Sequence, residues 1–159
     1  MTEIKIRSAV EADCDLILSL IQGLADYEKM SDDVVATVDD LKATLFKQQQ
    51  AEVFIGELNG EPVGFALFFH SYSTFLGKRG LYLEDLFIIP EARGKGVGKA
   101  LLVHLAKIAL DRDCARFEWS VLDWNQPAID FYRSIGAVGM EEWTVQRVDG
   151  DALQKLAKL

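Results

Sequence analysis

Apolar residues in the first third of the chain recur first at strand spacing and then at helical spacing. Ile4 to Arg7 predicts a short strand. One face of a helix running from Glu11 to about Tyr27 then carries Ile17, Leu20, Ile21 and Leu24. Further on, Thr37-x-x-Asp40 predicts a capping box that opens a second, shorter helix containing Leu41, Leu45 and Phe46.

The central part of the chain is typical of paired strands. The runs AEVFIGEL and PVGFALFFH flank Asn59-Gly60, a pair that accepts the positive φ angles of a two-residue turn, and they predict an antiparallel hairpin. GLYLEDLFII predicts a third strand, which Pro90 ends. Simple alternation places Leu81, Leu83, Asp85 and Phe87 on one face of it and Tyr82, Glu84, Leu86 and Ile88 on the other.

The last third of the chain predicts a strand, helix, strand unit and a tail. A helical stripe of Val97, Leu101, Leu105 and Ile108 runs to about Asp111, and ARFEWSVL predicts the strand that follows it. The two strands of such a unit are expected to lie parallel to each other in the sheet. Asn125 can cap a helix that has Pro127 in its first turn and extends to Gly136, while EEWTVQRV predicts a last strand and ALQKLAKL a short terminal helix. The fold class is therefore α/β (α+β), with a mixed, mostly antiparallel central sheet flanked by helices.

Length and composition favour one compact domain over residues 1–159. Half of the 159 residues are apolar, and no linker, internal repeat or low-complexity tract interrupts them. No run approaches the roughly 18 uncharged apolar residues of a membrane span, and the charged N-terminus is unlike a signal peptide, so we expect neither.

Charge and cysteine content narrow the candidate partners. The net charge of −8 disfavours nucleic acid and favours a cationic partner. Cys14 and Cys114 lie in periodic segments without the spacing of a redox or zinc site, so we expect buried thiols, no metal and a cytoplasmic location.

The glycine-rich segment from Arg93 to Lys99 can be compared with three kinds of ligand-binding loop. A Walker loop would need a glycine where Arg93 stands and a Ser or Thr where Ala100 stands. A dinucleotide fingerprint would need a glycine in place of Lys99 and a parallel strand before the loop. The third interpretation is an Arg93-x-x-Gly96-x-Gly98 loop whose amides and following helix bind a pyrophosphate. A structural turn at the start of a helix is the remaining alternative.

Arg93-x-x-Gly96-x-Gly98 follows LYLEDLFIIPEA and precedes DWNQPAIDFYRSIGA, which holds Asn125 and Tyr132. This order resembles the GNAT superfamily of acyl-CoA-dependent N-acetyltransferases over nearly the whole chain. Within it, LYLEDLF, RGKGVGK and LDWNQPAIDFY are similar to the spermidine/spermine (diamine) N-acetyltransferase group, especially its thialysine-acetylating branch. The resemblance implies the GNAT fold, acetyl-CoA as cosubstrate and a homodimer.

The resemblance also implies roles for individual residues. Glu84 would accept the proton of the amine through a water, Tyr132 would protonate the departing thiolate, and a bulge would bring Asp85 to the same substrate as a cation anchor. Tyr27 and Glu28 match positions near the amine. The coenzyme would contact the backbone at Phe87 and Ile88, the loop residues Arg93, Gly94, Lys95, Gly96, Val97, Gly98 and Lys99, and Asn125.

Other interpretations stay open at this stage. By pattern alone, an exposed Glu84 and a salt-bridged Asp85 are as typical as the catalytic roles, and a Tyr132 that packs in the core is favoured. Polyamine-acetylating relatives carry an acidic residue where Ser73 stands, which favours small amino acids with a side-chain amine over long polycations. A binding module for acyl-CoA without turnover, or an enzyme acting on a protein or peptide amine, are the alternatives to a small-amine acetyltransferase.

Overall fold

The computed structural model describes residues 2–159, which divide into two compact units, one ending at Ser120 and one spanning Val121–Leu159. The first unit contains five strands: β1 (Ile4–Ser8), β2 (Glu52–Leu58), β3 (Glu61–Ser73), β4 (Lys78–Ile88) and β5 (Phe117–Trp119). Its helices are α1 (Cys14–Tyr27), α2 (Val38–Leu41), which continues as a π-helix over Lys42–Lys47, and α3 (Val97–Asp111).

The strands form one sheet in the order β1-β2-β3-β4-β5. The first four are antiparallel neighbours, and β5 pairs with β4 in parallel after the crossover through α3, which confirms the predicted mixed sheet. The predicted hairpin is also confirmed, because Asn59 and Gly60 both have positive φ, at 51° and 85°. β5 is shorter than the run ARFEWSVL predicted.

The two faces of the sheet are covered by different helices. Ile17 and Leu20 of α1 share a buried cluster with Leu45, which follows α2, and with the sheet residues Ile55, Phe65 and Phe87. The capping box of α2 forms as predicted, since the Thr37 amide donates to Asp40 Oδ2 over 2.9 Å and the Asp40 amide donates to Thr37 Oγ1 over 3.1 Å.

Helix α3 packs on the other face at a very short distance from β2. A Cβ at Gly56 would lie 2.7 Å from Val97 Cγ1, so only glycine lets the first turn of α3 approach the strand. Leu101 and Leu105 are fully buried behind this contact.

A bulge in β4 corrects the simple alternation that the sequence predicts. Leu83 pairs with Phe68 and Asp85 pairs with Leu67, so Glu84 is an extra residue opposite two consecutive residues of β3. Because consecutive residues of β3 point to opposite faces, Leu83 and Asp85 also lie on opposite faces. Leu81 and Leu83 therefore belong to the α3 side, and Asp85 and Phe87 to the α1 side.

The second unit contains α4 (Gln126–Ser134) and α5 (Gly150–Leu156). Asn125 caps α4 as predicted, with its Oδ1 accepting from the Ala128 amide over 3.4 Å. Residues 141–148 do not form a strand in this single chain, so the prediction of a last strand there is wrong. No other strand lies within 121–159 to pair with this segment, and its Trp143 and Val145 side chains are exposed.

Among residues 2–159, every helix is too short or too polar to cross a lipid bilayer. Cys14 is buried and Cys114 half-buried, and both are free thiols.

Candidate active site

Three carboxylates cluster where the bulge of β4 meets the end of α1. Asp85 faces α1, Glu84 is the exposed residue of the bulge, and Glu28 directly follows α1. The pKa of Asp85 is raised to about 6, first because the carboxyl is largely buried and then because Glu84 and Glu28 repel its charge. Burial also raises the pKa of Glu28.

This arrangement suits a cation that is to lose a proton. Carboxylates that repel one another gain when a positive ligand binds among them, and a carboxyl with a pKa near neutrality can exchange protons in the physiological range. Tyr27, beside Glu28, adds an aromatic ring that is 37% exposed. The structure thus brings together four of the predicted residues: Glu84, Asp85, Tyr27 and Glu28.

Beyond the bulge, β4 has an open edge. Its pairing with β5 ends at Leu83 and Trp119. The Ile89 amide donates to Val63 O of β3 over 2.8 Å, so alternation directs the backbone of Phe87 towards β3 and that of Ile88 towards the open edge. The Phe87 side chain is buried in the core. Ile88 is therefore the residue of this predicted pair whose peptide groups face outward.

The glycine loop presents bare backbone at the start of α3. Gly94 and Gly96 have φ angles of 76° and 92°, which other residues adopt only with strain. The first backbone bond of α3 runs from the Ala100 amide to Gly96 O over 2.9 Å, so the amides of Val97, Gly98 and Lys99 lie outside the helical ladder. Together with the helix dipole, these amides form an anion-binding geometry that fits a pyrophosphate.

The cations of the loop point to different places. Lys95 and Lys99 are exposed. The Arg93 guanidinium instead lies 4.5 Å from the centroid of the Tyr27 ring and 5.5 Å from that of Phe87, and its Nε donates to Ile88 O over 3.0 Å. The sequence carried no signal for this contact, because Tyr27 and Arg93 are far apart in the chain and become neighbours only through the fold.

Gly23 is a residue near the site that the sequence interpretation missed. A Cβ at this position of α1 would lie 2.8 Å from Phe87 Cε2, so the glycine allows α1 to rest directly on β4 near the carboxylates. A glycine within a helical stripe was the available signal.

Tyr132 and Asn125 lie in the second unit. Tyr132 is half-buried on α4 beside Phe131, with 5.8 Å between the ring centroids, and its backbone carbonyl accepts from the Ala137 amide over 3.0 Å. These contacts account for the end of α4, and the roles of Tyr132 as acid and of Asn125 as coenzyme contact stay predictions.

A polar cleft lies at the opposite end of α3, about 22 Å from the glycine loop for a helix of 15 residues. Arg112 makes a two-pronged ion pair with Glu52 there, at 2.6 and 2.9 Å, and its NH1 lies 3.3 Å from His70 Nε2. Burial, with the positive charges of Arg79 and Arg112, lowers the pKa of His70. This network ties β2, β3 and α3 together and is separate from the carboxylates.

Comparisons with known proteins agree with this geometry. Residues 21–137 match the model of the Acetyltransferase (GNAT) family. A thialysine N-epsilon-acetyltransferase of Sus scrofa is 39% identical over 99% of both chains, and an L-ornithine N5-acetyltransferase of Arabidopsis thaliana is 34% identical over 98% of this chain and 88% of its own. The solved structure of an integron cassette protein from the mobile metagenome of V. cholerae is similar with a TM-score of 0.80, at 32% identity and 98% coverage of each chain.

Proposed function

The chain belongs to the GNAT acetyltransferase family, and we propose that it transfers an acetyl group from acetyl-CoA to the primary amine of a small cationic metabolite. The observation that carries this proposal is the cluster of Glu28, Glu84 and Asp85 beside the open edge of β4. A site that only held acyl-CoA would need the glycine loop and the edge but not three carboxylates. The resemblance to enzymes acting on thialysine and ornithine supports an amino acid with a terminal side-chain amine as the substrate class.

The carboxylates have a defined task in this chemistry. An alkyl ammonium has a pKa near ~10.4, so it must lose a proton before its nitrogen can attack a thioester. We assign proton acceptance to Glu84, through a water, because it is the exposed carboxylate of the bulge. Asp85 and Glu28 hold the cation and favour its approach.

The remaining residues hold the acetyl donor. The loop amides from Gly94 to Lys99, with the charges of Lys95 and Lys99, would bind the pyrophosphate of acetyl-CoA, and the outward amide of Ile88 would donate to its pantetheine arm. The bound coenzyme supplies the activated acetyl group. The amine nitrogen attacks the thioester carbonyl directly, the carbon–sulfur bond breaks, and Tyr132 protonates the thiolate.

We further propose that residues 1–159 act as one catalytic domain, that two chains form a homodimer, and that the enzyme works in the cytoplasm. The family match extends across residues of both units, and the free thiols of Cys14 and Cys114 suit a reducing compartment.

The proposal is tested by thiol release from acetyl-CoA with thialysine, lysine, ornithine, spermidine, a short diamine and a basic peptide. We expect turnover with thialysine or ornithine to exceed turnover with the peptide. Glu84→Gln, which preserves the size of the side chain, should lower kcat at neutral pH by about a hundredfold or more, and less at high pH where the free amine is abundant. Thermal stabilisation by acetyl-CoA without thiol release from any amine would instead indicate a binding module.

A further inference from the structure

The Arg93 side chain connects two parts of the site that the sequence keeps apart. Its guanidinium lies over the ring of Tyr27, the last residue of α1, and over the ring of Phe87 on β4. Its Nε–H donates to Ile88 O, which fixes the guanidinium at the open edge of the strand. One side chain thus joins the coenzyme loop, the edge of β4 and the end of α1.

The end of α1 carries part of the amine site. The Glu28 amide donates to Leu24 O over 2.9 Å, so Glu28 still belongs to the last turn of the helix that ends at Tyr27. A contact that fixes the Tyr27 ring therefore also restrains the carboxylate next to it. Gly23 permits this turn to lie against Phe87, so the aromatic pair that holds Arg93 is itself positioned by packing.

The contacts of the Arg93 guanidinium group are with two aromatic rings and a carbonyl oxygen rather than with the carboxylates. Burial and the charges of Glu84 and Glu28 raise the pKa of Asp85, and burial raises the pKa of Glu28. The guanidinium is instead stabilised by aromatic faces and a carbonyl oxygen. The negative charge of the cluster is left for a cationic substrate.

We propose that the Arg93 side chain is a positioning residue for the amine site, holding the Tyr27 ring and the end of α1 against β4. This inference rests on the proposed acetyl transfer and deepens it. The Arg93 side chain then helps to position the acceptor amine through Tyr27, while the backbone of the loop binds the acetyl donor.

The test compares Arg93→Met with two control variants, Lys95→Met and Lys99→Met. Each control also removes one positive charge from the loop, but neither lysine contacts Tyr27 in the way that Arg93 does. KM for thialysine and for acetyl-CoA is measured for each, together with the dissociation constant of thialysine by calorimetry. We expect Arg93→Met to raise the thialysine KM and dissociation constant about tenfold, the range of a cation–π contact with its hydrogen bond. The two lysine variants should raise mainly the acetyl-CoA KM.

A double-mutant cycle with Tyr27 identifies the route. Tyr27→Ala should weaken thialysine to a similar degree, and Arg93→Met combined with Tyr27→Ala should be little worse than either change alone, because both remove one contact. Tyr27→Phe keeps the aromatic ring, so Arg93→Met should weaken thialysine binding as much in the Tyr27→Phe variant as in the parent. Thermal unfolding of each variant identifies any that fail to fold, and Arg93→Lys provides a milder substitution in that case.

Two results would overturn the inference. One is an active Arg93→Met variant with unchanged thialysine affinity and a raised acetyl-CoA KM. The other is a double variant whose loss of thialysine affinity equals the product of the two single losses, because Arg93 and Tyr27 would then act independently. If the parent protein releases no thiol with any amine of the panel, the proposed function itself is contradicted. Calorimetry on the same variants still reports whether Arg93 affects thialysine binding.

Discussion

Gly98 lacks a side chain at a position where the fold alone would tolerate one. Unlike Gly94 and Gly96, it does not have a positive φ, and a Cβ there would lie 3.6 Å from Ile88 Cγ1, an ordinary contact. Glycine in a helix costs about 0.5–1 kcal/mol relative to alanine. The residue is therefore better explained by a ligand that approaches the backbone than by the packing of α3.

Gly98→Ala should consequently stabilise the protein and weaken its cosubstrate. We expect the free energy of unfolding to rise by up to about 1 kcal/mol because of the higher helix propensity of alanine. The dissociation constant of acetyl-CoA should increase, because the new methyl group stands where the pyrophosphate meets the amides. Urea unfolding and calorimetry measure the two effects, and Gly96→Ala, with its strained φ, should reduce both stability and affinity. An unchanged affinity in Gly98→Ala would argue against the loop as the pyrophosphate site.

Asp85 makes stability depend on pH. Its pKa rises from 3.8 to about 6 on folding, so the folded protein binds more protons than the unfolded chain between these values. The contribution of Asp85 to stability should therefore fall as the pH rises through this window, by about 3 kcal/mol in total at 1.36 kcal/mol per pKa unit. Below the window the carboxyl is protonated in both states and the cost disappears.

Asp85→Asn should remove this dependence. We expect the variant to gain stability over the parent as the pH rises from about 4 to about 6, and to keep that gain at higher pH. Urea midpoints at several pH values measure it, and Asp32→Asn, a change at an exposed aspartate, serves as control. A constant difference between Asp85→Asn and the parent across this range would contradict the assignment.

Single residues also show what the sequence could and could not predict. Asn125 was predictable as a cap because its partner is three residues away. The cluster of Glu28, Glu84 and Asp85 followed from family resemblance, whereas strand alternation alone placed Asp85 with Leu83 on the wrong face. Bulges depend on pairing with a second strand, and that information is not contained in the run LYLEDLF itself.

At the scale of elements, the contact of β2 with α3 sets the position of the glycine loop. Gly56→Ala would place a methyl group 2.7 Å from Val97 Cγ1, so α3 would have to shift at its first turn. We expect a loss of about 1–3 kcal/mol in the free energy of unfolding, typical of overpacking, and weaker binding of acetyl-CoA. Adding Val97→Ala should restore part of the stability because it removes the clashing group. Equal stability of Gly56→Ala and the parent would show that α3 can shift away from β2 without an energetic cost.

Elements with local signals were predicted well, and elements that need a distant partner were not. The helix of residues 97–111 and the Asn59-Gly60 hairpin carry their signals within a few residues. The segment 141–148 has the alternation of a strand but no neighbouring strand in its own unit, and β5 is limited to the three residues that pair with β4. Strand propensity does not specify which edge a strand will join.

At the scale of the whole molecule, we expect exposed apolar side chains in the second unit to be covered by a second copy in the proposed homodimer. Trp143 and Val145 are 77% and 80% exposed within a segment that has strand periodicity. Light scattering should give twice the 17.8 kDa of one chain. Trp143→Gln should shift the mass towards one chain, whereas Leu110→Ser, at an exposed apolar residue of α3, should not. A parent mass of one chain would remove the homodimer.

The bulge of β4 has one more consequence. Leu83 pairs with Phe68 and Asp85 with Leu67, so the ladder would run without interruption if Glu84 were absent. The proposed proton acceptor is therefore a supernumerary residue, inserted into a strand whose other partners are already matched. A single-codon deletion would remove the proposed catalytic carboxylate and leave every other strand pair in register, so we expect it to yield an inactive protein with a more regular sheet.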